Sequence, residues 1–181
     1  MLAVDPFTKE SGLTPPRFEA NAVISDFAHP NYSDDKIFKI TGPGEYEFSG
    51  VYIKGVRVSN DNTIYVIDWE GMKLAHMGNF GEKELKSEIQ EQIGSPDILF
   101  IPVGPAFAKA SAGKGEIIDA EKAVKIINQI EPRIVIPMNY KKPDDFLKEI
   151  GEKVQPEEKL TIKRKDLPNA EDTKVVVLKT P

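Results

Sequence analysis

The first half of the chain is a succession of short β-rich runs, and this feature restricts the fold more than any other. The runs are rich in β-branched and aromatic residues and are separated by turn-forming stretches; in chain order they are LAV, AVIS, KIFKI, VYIKGVRV, TIYVIDW and MKLAHM. Short strands that follow one another with tight turns usually pair with their chain neighbours. We therefore expect a β meander in this half.

The second half alternates helices with strands. Leu85, Ile89 and Ile93 recur at four-residue spacing before a glycine, which predicts an amphipathic helix. Asp119 is placed to cap a second helix with an apolar face, and PDDFLKEIG predicts a short third helix with a proline near its first turn. The remaining apolar runs predict strands, namely PDILFIPV, RIVIPMNY, KLTIKRK and KVVVLK.

Length and composition indicate one folded domain over residues 1–181. Hydrophobic residues make up 40% of the chain and charged residues 29%, a balance typical of soluble globular proteins. Without cysteine, the chain has no disulfide, thiolate metal site or cysteine nucleophile. No basic leader or membrane-length apolar run is present, so we expect no membrane partner and a cytoplasmic location.

The net charge of −5 argues against nucleic acid as a partner, because phosphate binding needs concentrated Lys and Arg. The densest basic stretch is TIKRK. Strand alternation would put Lys163 and Lys165 on one face and Arg164 on the other, which favours an exposed strand over a nucleic-acid contact.

Two motifs have both a functional and a plain interpretation. SAGKGE looks like a phosphate-binding loop around Lys114, but Ala108 and Gly115 occupy positions where that motif needs Gly and Ser or Thr. A mobile surface loop is the favoured interpretation. Glu45 and Glu47 in GPGEYE would share one side of an extended segment and could act as acid and base, yet solvated surface carboxylates are favoured.

Three polar turns follow apolar strands, where their side chains can converge. FAHPNY follows AVIS, AHMGN ends MKLAHM, and PMNY ends RIVIPMNY. In the interpretation without a functional site, their histidines are hydrogen-bonded residues near the core, and their asparagines are turn residues that tolerate left-handed backbone. In the order VDPF, FAHPNY, GPGEYE, AHMGN and IPMNY, these stretches resemble the metallo-β-lactamase superfamily, especially its small bacterial and archaeal metal-dependent hydrolases.

The resemblance covers almost the whole chain and implies an α+β fold, the four-layer αββα sandwich of metallo-β-lactamase-like proteins. It also implies where metal ligands would lie. The His-x-His pair falls on Phe27 and His29, and the Asp-His pair on Asn31 and Tyr32. The bridging aspartate falls on Asn79, beside His76, and the last histidine falls on Asn139; the family's remaining histidine would lie between Val51 and Asn62, where this chain has none.

Of these positions, only His29 keeps a good zinc ligand. Hydrolytic zinc needs about three protein ligands and an open water position. Asparagine is a weak neutral donor, phenylalanine cannot ligate, and tyrosine would have to lose a proton with a pKa near 10. We therefore predict no bound metal and no cofactor. We expect a vestigial cleft that takes a small-molecule ligand and is lined by Phe27, His29, Asn31, Tyr32, His76, Asn79 and Asn139.

Three functions follow from this prediction. The favoured one is a metal-free binding or scaffold protein without catalytic activity. The alternative is a hydrolase of weak or unconventional activity on phosphodiesters, lactones or amides, with His29 or His76 as base. The third is a structural subunit completed by a partner chain.

The N-terminal strand gives a prediction about assembly. Family members begin with a β-hairpin before the DP strand, whereas this sequence starts almost at that strand with MLAVDPF. An unpaired edge at Leu2 to Val4 invites pairing with another strand. We expect this edge to be covered by rearranged local chain or by a second copy in a homodimer.

Overall fold

Two β-sheets form the framework of the chain in a computed structural model, which describes residues 1–9, 18–25, 29–59, 62–104 and 117–179. The small sheet has three strands in the order β1 (Leu2–Val4), β2 (Ala22–Ile24) and β3 (Phe38–Ile40), all parallel. Within the described ranges β1 pairs along one edge only, with β2. Covering of its other edge by a second copy stays a prediction.

The large sheet has seven strands, whose spatial order is the reverse of their chain order. The strands are β4 (Gly44–Phe48), β5 (Val51–Ser59), β6 (Asn62–Trp69), β7 (Met72–His76), β8 (Ile98–Pro102), β9 (Ile134–Met138) and β10 (Lys174–Val175). Strands β4 to β7 are antiparallel, and β7 to β10 are parallel.

The predicted meander is therefore correct for β4 to β7 and wrong for the first three runs. The segments between β1, β2 and β3 are each longer than the roughly dozen residues that a parallel crossover requires. That length allows parallel pairing in a separate sheet. Strand propensity alone carries no information about this choice.

Three α-helices occur where the periodicity predicts them: α1 (Ser87–Ile93), α2 (Ala120–Ile130) and α3 (Asp144–Ile150). The Asp119 carboxylate accepts a hydrogen bond from the Lys122 amide at 3.0 Å, which confirms the predicted cap. Helix α1 is shorter than its pattern suggests: it begins at Ser87, and Leu85 is buried in the segment before it.

The large sheet is buried on both faces. On one face, side chains of β5 to β10 pack against all three helices, with fully buried residues that include Leu99, Ile101, Ala123 and Phe146. The other face packs against the small sheet through residues such as Ile24, Ile40, Ile53 and Tyr65. The outer face of the small sheet is covered by an apolar cluster that includes Phe18, Tyr32 and Ile37.

The predicted strand KLTIKRK is wrong. Leu160 and Ile162 pack on the same cluster as Ile98, Ile134 and Ile136 of the large sheet, so this segment lies across the sheet instead of pairing at its edge. A short 3₁₀ turn, Arg164–Asp166, follows. Alternating apolar residues suit a strand and a segment laid on a sheet equally well, and the pattern cannot distinguish the two.

The final run, KVVVLK, is a strand over Lys174–Val175 alone, and Leu178 then forms an isolated bridge with Glu157. The α+β sandwich of the metallo-β-lactamase-like class is confirmed by this architecture, and the described helices supply one outer layer. SAGKGE lies outside the described residues. Within the described ranges, no helix has the length and apolar character needed to cross a membrane.

The two-sheet core predicts a contrast between neighbouring residues of β5. Ile53 is fully buried between the sheets, whereas the adjacent Tyr52 is 40% exposed. Ile53→Ala should lower the free energy of unfolding by about 2 to 5 kcal/mol through lost burial and a cavity. Tyr52→Ala should cost less than about 1 kcal/mol, the size of a cross-strand pair. Denaturant unfolding measures both, and equal losses would contradict the sandwich.

Candidate functional site

Strand ends from both sheets bring the predicted polar residues to one end of the sandwich. Strands β7, β8 and β9 are parallel neighbours, so the turns that follow β7 and β9 lie on either side of the end of β8. These turns use left-handed backbone at Gly78 (φ 57°) and Asn139 (φ 54°). Glycine and asparagine adopt that region at the least steric cost.

Asn79 and Asn139 are joined directly. The Asn139 Nδ2 donates a hydrogen bond of 3.1 Å to the Asn79 Oδ1, across 60 positions of sequence. Both side chains are half-buried. Two positions that the resemblance assigns to a bridging aspartate and a histidine thus carry a neutral amide pair.

Asn62, at the start of β6, holds the turn that carries Asn79. Its side chain is buried; the Oδ1 accepts from the Asn79 amide at 3.2 Å and the Nδ2 donates to the Met77 carbonyl at 3.3 Å. The contact leaves no room at Gly78, where an added Cβ would lie 2.7 Å from the Asn62 Oδ1. Sequence reasoning missed Asn62, although β6 is antiparallel to β7 and its start must lie beside the end of β7.

His76 uses one ring nitrogen within its own turn. The Gly78 amide donates to the His76 Nδ1 at 3.2 Å, and the Asp5 Oδ2 lies 3.6 Å from the same nitrogen. Accepting this hydrogen bond occupies the Nδ1 lone pair. The 3.6 Å separation from the Asp5 Oδ2 is longer than an ordinary hydrogen bond.

His29 is held in the same way. The Asn31 amide donates to the His29 Nδ1 at 3.2 Å, and the His29 Nε2 lies 3.3 Å from the Phe7 carbonyl oxygen. The Asp5-Pro6-Phe7 segment thus contacts both histidines, His76 through Asp5 and His29 through Phe7. We call Asp5, His29, Asn62, His76, Asn79 and Asn139 the strand-end site.

Two other predicted site residues, Asn31 and Tyr32, make no side-chain hydrogen bond to the strand-end site among the described residues. Tyr32 is buried in the apolar cluster on the outer face of the small sheet, where its ring lies 5.0 Å from that of His29. The Asn31 side chain is exposed. Among the described residues no hydrogen bond links Asn31 or Tyr32 to Asn79 or Asn139, and Phe27 lies outside the described ranges.

The donor set does not fit a catalytic zinc ion. Each histidine gives its Nδ1 lone pair to a backbone amide, and the two asparagines bond to each other. Burial raises the pKa of Tyr32, which keeps its phenol protonated. In the described part of the chain, no group of three or more His, Asp or Glu residues is placed to hold a metal ion.

Comparisons with known proteins agree with the fold. A sequence profile described as the beta-lactamase superfamily domain matches residues 1–139. A UPF0173 metal-dependent hydrolase of Methanosarcina mazei is 31% identical over 100 residues, which cover 50% of this chain and 38% of that protein. A UPF0173 metal-dependent hydrolase of Thermococcus onnurineus is 29% identical over 101 residues, which cover 50% of this chain and 40% of that protein. The matched stretch therefore spans well under half of either relative.

Two solved structures share the architecture. One is a Thermotoga maritima protein described as a Zn-dependent hydrolase of the metallo-β-lactamase superfamily. It superposes with a TM-score of 0.75 and 27% sequence identity, and the match covers 98% of this chain and 88% of that protein. Igni18, a metallo hydrolase of Ignicoccus hospitalis, has a TM-score of 0.54 and 15% identity, covering 88% and 76% respectively. The second likeness concerns the fold alone.

The contact of Asn62 with the turn after β7 predicts that replacing Gly78 lowers the free energy of unfolding more than replacing another left-handed glycine. Gly78→Ala should lose about 1 to 2 kcal/mol of unfolding free energy for left-handed backbone, and more for the contact with Asn62. Gly42→Ala is the matched control, because Gly42 has φ 75° and nothing within 4 Å of an added Cβ. Thermal unfolding should show the larger loss for Gly78→Ala, and Asn62→Ala in the same chain should remove the excess. Equal losses would show that Asn62 does not constrain the turn.

Proposed function

The chain belongs to the family described as the beta-lactamase superfamily domain, and we propose that it is a metal-free member of that family. In this proposal the strand-end site binds a small polar ligand, or serves a scaffold role, and does not perform metal-dependent hydrolysis. Metal chemistry in this fold needs a Lewis acid that lowers the pKa of a bound water. The residues present give such an ion too few ligands.

The hydrogen bond between Asn79 and Asn139 carries the proposal. Both positions would supply strong zinc ligands under the resemblance, yet here one amide satisfies the other at 3.1 Å. Neutral amides can share a half-buried site without a counter-ion, whereas a carboxylate in the same place would need one. The pair therefore suits a site that works without metal.

The alternative is a hydrolase of weak or unconventional activity on phosphodiesters, lactones or amides. Its support is that the relatives from Methanosarcina mazei and Thermococcus onnurineus are named metal-dependent hydrolases. A general base needs a free lone pair within reach of the proton it removes. The Nδ1 lone pairs of His29 and His76 accept hydrogen bonds from backbone amides. These hydrogen bonds favour the metal-free proposal.

Metal analysis tests the donor set. The purified chain, dialysed after exposure to zinc, should retain far less than about one zinc ion per molecule, because zinc needs about three protein ligands. The matched variant restores the family pattern with Phe27→His, Asn31→Asp, Tyr32→His, Asn79→Asp and Asn139→His and should retain about one or more. Elemental analysis measures both.

A native chain that keeps one zinc ion would contradict the proposal if His29→Ala or His76→Ala released it, because imidazoles are the strongest zinc ligands in the strand-end site. Zinc retained in both variants would instead indicate a site elsewhere. Circular dichroism of the restored variant is the folding control, because Tyr32→His places an imidazole in an apolar cluster.

Turnover assays test the hydrolase alternative separately. We expect no hydrolysis of generic phosphodiester, lactone and amide substrates above the buffer rate, because both imidazoles are engaged by the backbone. Any rate that appears should be compared between the native chain, His29→Gln and His76→Gln. A rate at least about tenfold above buffer that either substitution abolishes would place the alternative first.

A further inference from the structure

We infer that the strand-end site selects uncharged ligands in which a carbonyl oxygen stands beside an N–H group, with simple carboxamides as the minimal class. This inference rests on the proposed function and adds the chemistry of the ligand. It follows from the hydrogen-bonding groups that the Asn79 and Asn139 side chains leave available.

The two side chains use only half of their pairing capacity. Each asparagine amide has one carbonyl acceptor and one NH₂ donor group, and a single hydrogen bond joins Asn139 Nδ2 to Asn79 Oδ1. The Asn79 Nδ2 and the Asn139 Oδ1 have no hydrogen-bond partner among the described residues. The site therefore presents an unused NH₂ group on Asn79 and an unused carbonyl oxygen on the adjacent Asn139.

This pairing does not depend on how oxygen and nitrogen are assigned. Exchanging O and N in both amides would give an Asn79 donor and an Asn139 acceptor, which again share one hydrogen bond. One donor and one acceptor would still be left, with their order reversed. A ligand with its own adjacent acceptor and donor matches either arrangement.

The backbone on both sides limits how these amides can move. The Asn79 amide nitrogen is held by the buried Asn62, which also bonds the Met77 carbonyl. Asn139 lies at φ 54°, directly after β9. Groups whose positions are fixed before binding lose less conformational freedom when a ligand arrives.

The charges at this end of the sandwich do not favour an anion. The Asp5 carboxylate is part of the site, where its Oδ2 lies 3.6 Å from the His76 Nδ1. Lys141 and Lys142 follow soon after Asn139, but both are exposed, and solvent and salt screen such charges. A neutral ligand loses less hydration in reaching this site than a carboxylate of the same shape.

Acetamide and acetate form a matched pair of probes, because they have the same size and differ in charge and donor capacity. Titration of the ¹⁵N-labelled full chain followed by ¹H–¹⁵N spectroscopy should show saturable shifts of the Asn79 and Asn139 side-chain resonances with acetamide. A ligand of four heavy atoms is expected to have a Kd on the order of millimolar or weaker. At equal ionic strength acetate should bind at least about tenfold more weakly, since it lacks the donor and carries a charge.

Asn79→Asp tests the donor specifically. An aspartate still accepts from the Asn139 Nδ2 but removes the free NH₂ group, so acetamide should bind at least about fivefold more weakly. Asn128→Asp, on the exposed part of α2, adds the same charge elsewhere and should leave the titration unchanged. Retained dispersion of the backbone amides in each spectrum shows that the variants are folded.

Three results would overturn the inference: acetate binding as tightly as acetamide, shifts that never saturate, or acetamide affinity unaffected by Asn79→Asp. Zinc content is measured on the same sample. If the native chain retains zinc in this site, the proposed function fails. If it is zinc-free and acetamide does not bind, only the inference about the ligand fails.

Discussion

The parallel pairing of β7, β8 and β9 is the constraint on which the candidate site depends. Their register aligns His76 with Phe100 and Phe100 with Ile136, so the turns after β7 and β9 reach the same height beyond β8. Each face of these strands packs in a different cluster, Leu99 and Val135 with the helices and Ile98, Ile134 and Ile136 on the opposite face, so a slip by one residue would exchange the two sets of side chains. Without this register, Asn79 and Asn139 would not meet.

The two histidines hold the backbone of their own turns in the same way. In both turns the ring Nδ1 accepts the backbone amide two residues later, from Asn31 to His29 and from Gly78 to His76. This is the geometry with which short polar side chains stabilise turns. A lone pair used in this way cannot bind zinc at the same time. Retained histidine is therefore compatible with a structural role at strand ends.

Much of the architecture could be predicted from local signals. The Asp119 cap, the polar strand ends and most of the strand runs are each read from a few neighbouring residues, and the structure has them where expected. The parallel small sheet and the path of Leu160 and Ile162 could not be predicted, because both are decided by tertiary packing. Asn62 was missed for a related reason: only the pairing of β6 with β7 places it under the Asn79 turn.

Asn79 and Asn139 are chemically matched to each other. With aspartate and histidine at these two positions and no metal, a half-buried carboxylate would require a protonated imidazole as its partner, and the charge state of the pair would vary with pH. Two amides keep a single hydrogen bond at every pH in the physiological range, because neither titrates there. Changing either residue alone leaves its partner with a mismatched neighbour, so the two positions are expected to be coupled in stability. The hydrogen bond between Asn79 and Asn139 therefore needs neither a counter-ion nor a titrating group.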